Sequence, residues 1–141
     1  MIVTGGNATN SFGGGIFVSN GASLKIANYE ITNIAAGSSG GGLGVYFGSQ
    51  AQVVNSVVSD NSTGASGGGI GNLGTLNVTG SSIVNNSALS GGGIVSYFSG
   101  ATATVTDSVI SQNMSSSGGG GIQNSYGSRL EVLNSSILNN T

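Results

Sequence analysis

Acid–base or metal chemistry in this chain would have to come from six side chains. Lys25, Glu30, Asp60, Asp107, Arg129 and Glu131 are the only charged residues among 141, and there is neither His nor Cys. Glycoside hydrolysis needs a pair of carboxylates flanking one bond, and lyase chemistry needs acidic metal ligands beside a basic catalyst. The four acids fall in separate segments and do not converge. Without His the chain lacks the commonest general base and neutral metal ligand. Without Cys it has no thiolate ligand and no disulfide. The segment "GGGGIQNS" (118–125) lacks the Asp that calcium-binding nonapeptide repeats require. The sequence therefore points to no catalytic residue, no cofactor-binding residue and no metal ligand, and to a protein that is not an enzyme.

Composition narrows the partners. A formal net charge of −2 is too small to steer a ligand, and two cations cannot build a basic surface for phosphates, so nucleic acid is not an expected partner. No apolar run reaches the ~20 residues of a membrane-spanning helix. Met1-Ile2-Val3-Thr4-Gly5-Gly6 lacks the basic and apolar regions of a signal peptide. Low charge together with abundant Gly, Ser, Asn and Thr suggests disorder, but a disordered chain lacks regularly spaced branched apolar residues, and here they recur in register. There is no Pro, which suits a backbone whose N–H groups are used in strand ladders.

The regularity is a repeat, and repeats decide the fold. The word GGG precedes Ile16, Leu43, Ile70, Ile94 and Ile122, at spacings of 24 to 28 residues. A second register follows: "KIANYEI", "QVVNSVV", "NVTGSSI", "TVTDSVI" and "EVLNSSI". It aligns Ile26, Val53, Val78, Val105 and Val132 in one column and Ile31, Val58, Ile83, Ile110 and Ile137 in another. Apolar columns alternate with polar ones (Lys25, Gln52, Asn77, Thr104, Glu131), a period of two and hence strand. The expected fold is all-β: a right-handed parallel β-helix, a β-solenoid of about five coils with three short strands per coil, beginning near GGG-Ile, Leu-x-Val and NSxI. Each strand pairs with its equivalent one coil away, at roughly 4.8 Å. Glycine runs mark tight corners, where positive φ and close coil-to-coil approach favour a residue without Cβ.

The asparagines also align. Asn61, Asn86, Asn113 and Asn140 form one column, which Asn7 joins by its distance to the next GGG. Asn28, Asn55, Asp107 and Asn134 form another, broken by Gly80. Both are read as structural, because stacked amides bond along a solenoid and Asn tolerates left-handed turns. Seven N-x-S/T sequons start at Asn7, Asn61, Asn77, Asn85, Asn113, Asn134 and Asn139 and are open to glycosylation on an exposed chain. "ATATVTDS" puts Thr102, Thr104 and Thr106 on one outward face with Thr79 alongside, a fragment of the regular Thr array of an ice-binding solenoid.

The words "GGGI", "GGGL", "VVSDN", "SIVNN", "VISQN" and "SILNN" resemble the GGA[ILV] and FxxN repeats of polymorphic outer-membrane proteins and related bacterial surface β-helix proteins. The resemblance runs from about Asn7 to Asn140, with Gly in place of Ala and an aliphatic in place of Phe. It implies a right-handed parallel β-helix, extracellular or cell-surface exposure and an adhesive or structural role; it brings no catalytic residue. The chain is expected to be one solenoid domain, 1–141, uncapped, a segment of a longer solenoid or a fibre subunit that self-associates through its ends. Glycan contact is a further expected partnership. Carbohydrate-binding or carbohydrate-active β-helices and ice-binding solenoids are the alternatives.

Overall fold

In the computed structural model, which describes residues 1–9 and 11–141, every strand pairs in parallel with its equivalent in the next coil. Four sheets run the length of the solenoid. The first has six strands: Ile2–Thr4, Glu30–Thr32, Val57–Ser59, Ser82–Val84, Val109–Ser111 and Ser136–Leu138. The second is built from two-residue strands, Asn7–Ala8, Ala35–Ala36, Ser62–Thr63, Ser87–Ala88 and Met114–Ser115. The third contains the GGG-aliphatic words: Ile16–Val18, Leu43–Val45, Ile70–Asn72, Ile94–Tyr97 and Ile122–Ser125. The fourth has the longest strands, Ser23–Ala27, Gln50–Val54, Thr75–Thr79, Thr102–Thr106 and Arg129–Leu133.

Three of these faces are those expected from the apolar columns. The second sheet is additional, so a coil has four strands rather than three. Its strands are too short for two-residue alternation to register: Asn7-Ala8, Ser62-Thr63 and Met114-Ser115 share no apolar pattern.

The core is a set of like-on-like columns. Ile26, Val53, Val78, Val105 and Val132 pair in sequence across the fourth sheet. Ile31, Val58, Ile83, Ile110 and Ile137 do so across the first. Val53, Val58, Val78, Ile83, Val105 and Ile110 are fully buried, each contributing about 1.5–3 kcal/mol of apolar transfer energy. β-Branched side chains suit these positions because their restricted χ1 fits the pleated surface.

The corners show why glycine and asparagine alternate with those columns. In the first four GGG words the first glycine has positive φ, 76° at Gly40 and 71° at Gly67. The second lies against the neighbouring coil: a Cβ on Gly41 would come within 2.1 Å of the Gly68 carbonyl oxygen. At the corner between the fourth and first sheets, Asn28, Asn55, Gly80, Asp107 and Asn134 all have φ between 47° and 62°. At the corner between the first and second sheets the same role falls to Asn33, Asp60, Asn85, Gln112 and Asn139, with φ between 53° and 57°. Asn and Asp are the L-residues that reach this left-handed region most easily.

Candidate functional site

The structure does not bring the acids together. Asp60 and Asp107 are exposed at two different corners, Glu30 opens a first-sheet strand, and Glu131 lies mid-strand at the edge of the fourth sheet. Asp60 accepts a hydrogen bond from the Asn85 side-chain amide in the next coil. Among the described residues no three His, Cys, Asp or Glu side chains lie close enough to share a metal ion.

The two asparagine columns do different things. Asn61, Asn86 and Asn113 are buried and form a ladder with half-buried Asn140. The Oδ1 atoms of Asn86, Asn113 and Asn140 each accept the backbone N–H and the amide N–H of the preceding asparagine, as Asn86 Oδ1 does from Asn61 at 3.0 Å in both bonds, while Asn61 Oδ1 accepts the backbone N–H of Ile34. Each Nδ2 also donates to a strand carbonyl, that of Asn86 to Val58 at 2.9 Å. Asn7 is not part of this ladder. The register pairs Asn7 with Ala35 and Ala35 with Ser62, one position past the ladder, whose first coil holds Ile34 instead. The shift arises because Gly5 (φ 73°) takes the corner position that Asn33 holds one coil later, leaving Gly6 at the ladder position. Asn28, Asn55 and Asn134, with Asp107, stay exposed and serve through their left-handed backbone.

A second buried ladder, of serine, was missed by sequence reasoning. Ser56 Oγ accepts from the Tyr29 N–H, Ser81 Oγ from Ser56, Ser108 Oγ from Ser81 and Ser135 Oγ from Ser108, each at 3.1 Å. The signal was present as the Ser after the corner residues Asn55, Gly80, Asp107 and Asn134 in "NS", "GS" and "DS", but serine is too frequent in this chain for the column to stand out.

Of the seven sequon asparagines, Asn61 and Asn113 are sealed in the ladder, while Asn7, Asn77, Asn85, Asn134 and Asn139 are exposed. On the outer face of the fourth sheet, Thr75 and Thr79 pair with Thr102 and Thr106, and Asn77 with Thr104. Lys25, Gln52 and Glu131 occupy the same column on the other strands, so the Thr array is two strands wide.

The feature with the character of a site is aromatic. Seven of the eight aromatic residues form one connected line along the solenoid, on the outer side of the third sheet and its turn into the fourth. Phe12 and Phe17 contact Tyr46, which contacts Phe47 at a centroid distance of 5.0 Å. Phe47 reaches Phe98 at 5.6 Å, and Phe98 meets Tyr97 at 4.9 Å and Tyr126 at 5.9 Å. Phe17, Tyr46, Phe47 and Phe98 are 41–47% exposed and Tyr126 is 77% exposed. Phe12 lies over the outer faces of Gly44 and Gly71, where a Cβ would strike its ring.

Turn geometry delivers these rings. Ser19-Asn20-Gly21-Ala22 closes with a bond from Ala22 N–H to the Ser19 carbonyl, and positive φ at Asn20 and Gly21 is the pattern of a type I′ turn. Ser125-Tyr126-Gly127-Ser128 repeats that turn with Tyr126 (φ 54°) where Asn20 sits. Phe98 has φ 78°. Bulky residues avoid this region, at a cost of about 1–3 kcal/mol each. In the middle coil the turn shrinks to Leu73 and Gly74, between strands ending at Asn72 and starting at Thr75. That leaves a notch, across which Phe47 and Phe98 meet. Beyond Phe98 lies a groove of about 460 Å³, with Tyr97, Phe98 and Tyr126 beside Gln123, Ser90 and Ser66.

Sequence reading overlooked this line because the rings share no single column. Phe17 is mid-strand, while Phe47, Phe98 and Tyr126 are in turns. The available signal was proximity to the glycine word: six of the rings follow a GGG-aliphatic by one to four residues.

Over residues 1–141 the chain matches the family described as a right handed beta helix region. The chain belongs to the right-handed β-helix family. Among curated proteins and among solved structures, no match is found. Membership settles the solenoid architecture and its hand. The family holds both enzymes and non-enzymes, so the role of this β-helix has to be argued from its own surface.

Proposed function

We propose that this β-helix is a non-catalytic, surface-exposed adhesive module whose contact face is the aromatic line of the third sheet. The observation that carries the reading is that line: seven rings in unbroken contact, five of them at least two-fifths exposed, on a scaffold with six charged residues. Exposed aromatic patches mark interaction surfaces, and rings give large contact area at little conformational cost. Strained backbone at Phe98 and Tyr126 supports the same reading, since such strain concentrates where binding requires a particular side chain. The repeat words resembling bacterial surface β-helices support an extracellular or cell-surface location. The scattered acids count against a carbohydrate-active enzyme, and the two-strand Thr array against ice binding. Continuation of the solenoid, by further coils or by a neighbouring copy, belongs to the proposal as its structural half.

The test is adhesion of the purified chain to polysaccharide-, protein- and hydrocarbon-coated surfaces, beside a triple variant Phe47→Ser, Phe98→Ser, Tyr126→Ser. We expect the variant to lose adhesion while keeping the β-sheet circular dichroism of the parent. Equal adhesion by both proteins, or none by the parent, overturns the proposal.

A further inference from the structure

We propose that the aromatic line pairs with the same line on a second copy of this chain, the two solenoids lying side by side and antiparallel about a two-fold axis at the middle coil. The inference rests on the adhesive reading above and names its partner. Four observations select a like chain.

The first is ring geometry. From Phe12 to Phe98, neighbouring rings of the line meet at centroid distances of 5.0–5.9 Å with their planes inclined by 51–76°. Inclined rings expose edges as well as faces and give a flat ligand no continuous platform. A second set of inclined rings supplies the complementary faces and edges, which is how aromatic side chains prefer to pack.

The second is symmetry. Counted by the GGG words, the line has rings in the first coil (Phe17), the second (Tyr46, Phe47), the fourth (Tyr97, Phe98) and the fifth (Tyr126), but none in the third. A two-fold axis at the third coil sets the second coil of each copy against the fourth of the other, and the first against the fifth. Phe47 and Phe98 of one copy then face Phe98 and Phe47 of the other across the notch at Leu73-Gly74. Such a contact is self-complementary and closes at two copies. Both solenoids rise by the same roughly 4.8 Å per rung, so a match at one coil carries to the others.

The third is area. The five rings that are 41–77% exposed leave roughly 400–600 Å² of aromatic surface on each copy. Two copies bury about 800–1,200 Å² from the rings alone, around the ~1,000 Å² that a specific interface must clear. Ser99, Gln123 and Ser125 beside the rings add a polar rim.

The fourth is charge. Among the described residues, no charged side chain lines the notch or the groove beyond Phe98, so two copies meet there without repulsion. On the adjoining fourth sheet, Lys25 and Glu131 share one column, in the first and fifth coils. The antiparallel arrangement brings Lys25 of each copy level with Glu131 of the other. A parallel pair sets like charge level with like, which is disfavoured.

Sedimentation velocity of the full chain over about 1–100 μM tests association. The parent should pass from monomer to dimer, and Phe98→Asn should weaken the dimer by at least about tenfold, the loss expected on removing an aromatic anchor. Asn tolerates the positive φ of that position, so the variant keeps the β-sheet circular dichroism of the parent. Met114→Ser, in the exposed groove beside the second sheet, should dimerise as the parent does. Spin labels read the orientation, since the chain has no cysteine of its own. Ser23 and Thr75 share one column two coils apart. In the antiparallel dimer, labels on Thr75→Cys are level, whereas labels on Ser23→Cys are offset along the axis by four rungs, about 19 Å, and should give the longer distance. Equal distances at the two sites, a parent that stays monomeric, a Phe98→Asn dimer as tight as the parent's, or loss of the dimer in Met114→Ser overturns the inference. If the parent stays monomeric yet adheres to the coated surfaces and the triple Ser variant does not, the like-chain partner falls and the adhesive reading stands. If the parent dimerises through Phe98 but adheres to none of those surfaces, the line is an interface between copies alone and the broader adhesive reading falls.

Discussion

Replacing Asn86 by Ala removes one rung of the buried amide ladder, and the cost is calculable from the bonds lost. Asn86 Oδ1 accepts both the backbone N–H and the side-chain N–H of Asn61. Both donors belong to a residue only 1% exposed, so water does not replace the acceptor. Each orphaned donor costs about 1–3 kcal/mol, giving about 2–6 kcal/mol for the pair before the lost donation to the Val58 carbonyl is counted. That is a large share of the ~5–15 kcal/mol that holds a domain folded. Asn140→Ala removes the same two acceptor bonds from Asn113, but Asn140 is half-buried. Solvent reaches that rung, and the loss should fall to the ~0.5–1.5 kcal/mol of an ordinary hydrogen bond. Urea unfolding followed by far-ultraviolet circular dichroism gives the two stabilities. Because repeat arrays can unfold in parts, hydrogen exchange at the Asn61 amide gives the local one, and its protection should collapse in Asn86→Ala. Equal losses for the two variants, or a loss below about 1 kcal/mol for Asn86→Ala, would show that the ladder is not a source of stability.

Three other perturbations separate the roles assigned above. Gly41→Ala puts a Cβ 2.1 Å from the Gly68 oxygen and should cost about 1–3 kcal/mol or more, whereas Gly64→Ala, with open space around it, should be neutral or slightly stabilising; chemical denaturation of both checks the pair. Tyr126→Asn should raise stability by up to about 1 kcal/mol, because Asn tolerates the positive φ of this position better than Tyr, seen as a higher melting temperature. Expressed in a host that glycosylates sequons, the folded chain should carry glycans among Asn7, Asn77, Asn85, Asn134 and Asn139 and none at Asn61 or Asn113, as peptide mapping would show.

The strand faces were legible in the sequence because their columns repeat one chemical type. Ile26, Val53, Val78, Val105 and Val132 differ by no more than a methylene and meet in the register the alignment implies. The short second sheet was not legible, because its strands make no apolar demand: Ala35-Ala36 and Met114-Ser115 are interchangeable in a face held by backbone bonds. Asn7 was placed by counting from the next GGG, but the first coil spends glycine at the corner that later coils give to Asn. The aromatic line escaped for a deeper reason. Packing of rings across turns depends on where side chains lean, and Phe47 meets Phe98 only because the turn between them is short. No pairwise spacing in the sequence encodes that.

The two-residue turn at Leu73-Gly74 has a consequence for how such a chain can change. Although this coil is shortened there, Thr75 to Thr79 still pair residue for residue with the strands on both sides. The ladder bond from Asn61 to Asn86 closes as usual. A difference in length is thus absorbed within one turn and forgotten by the next strand, because every column takes its phase from the coil beside it rather than from distance along the chain. In a solenoid of this kind, insertion and deletion at the turns become a means of sculpting the outer surface. The interior works as a fixed grid, and the turns are the places where new contact surfaces can be written without renegotiating the core.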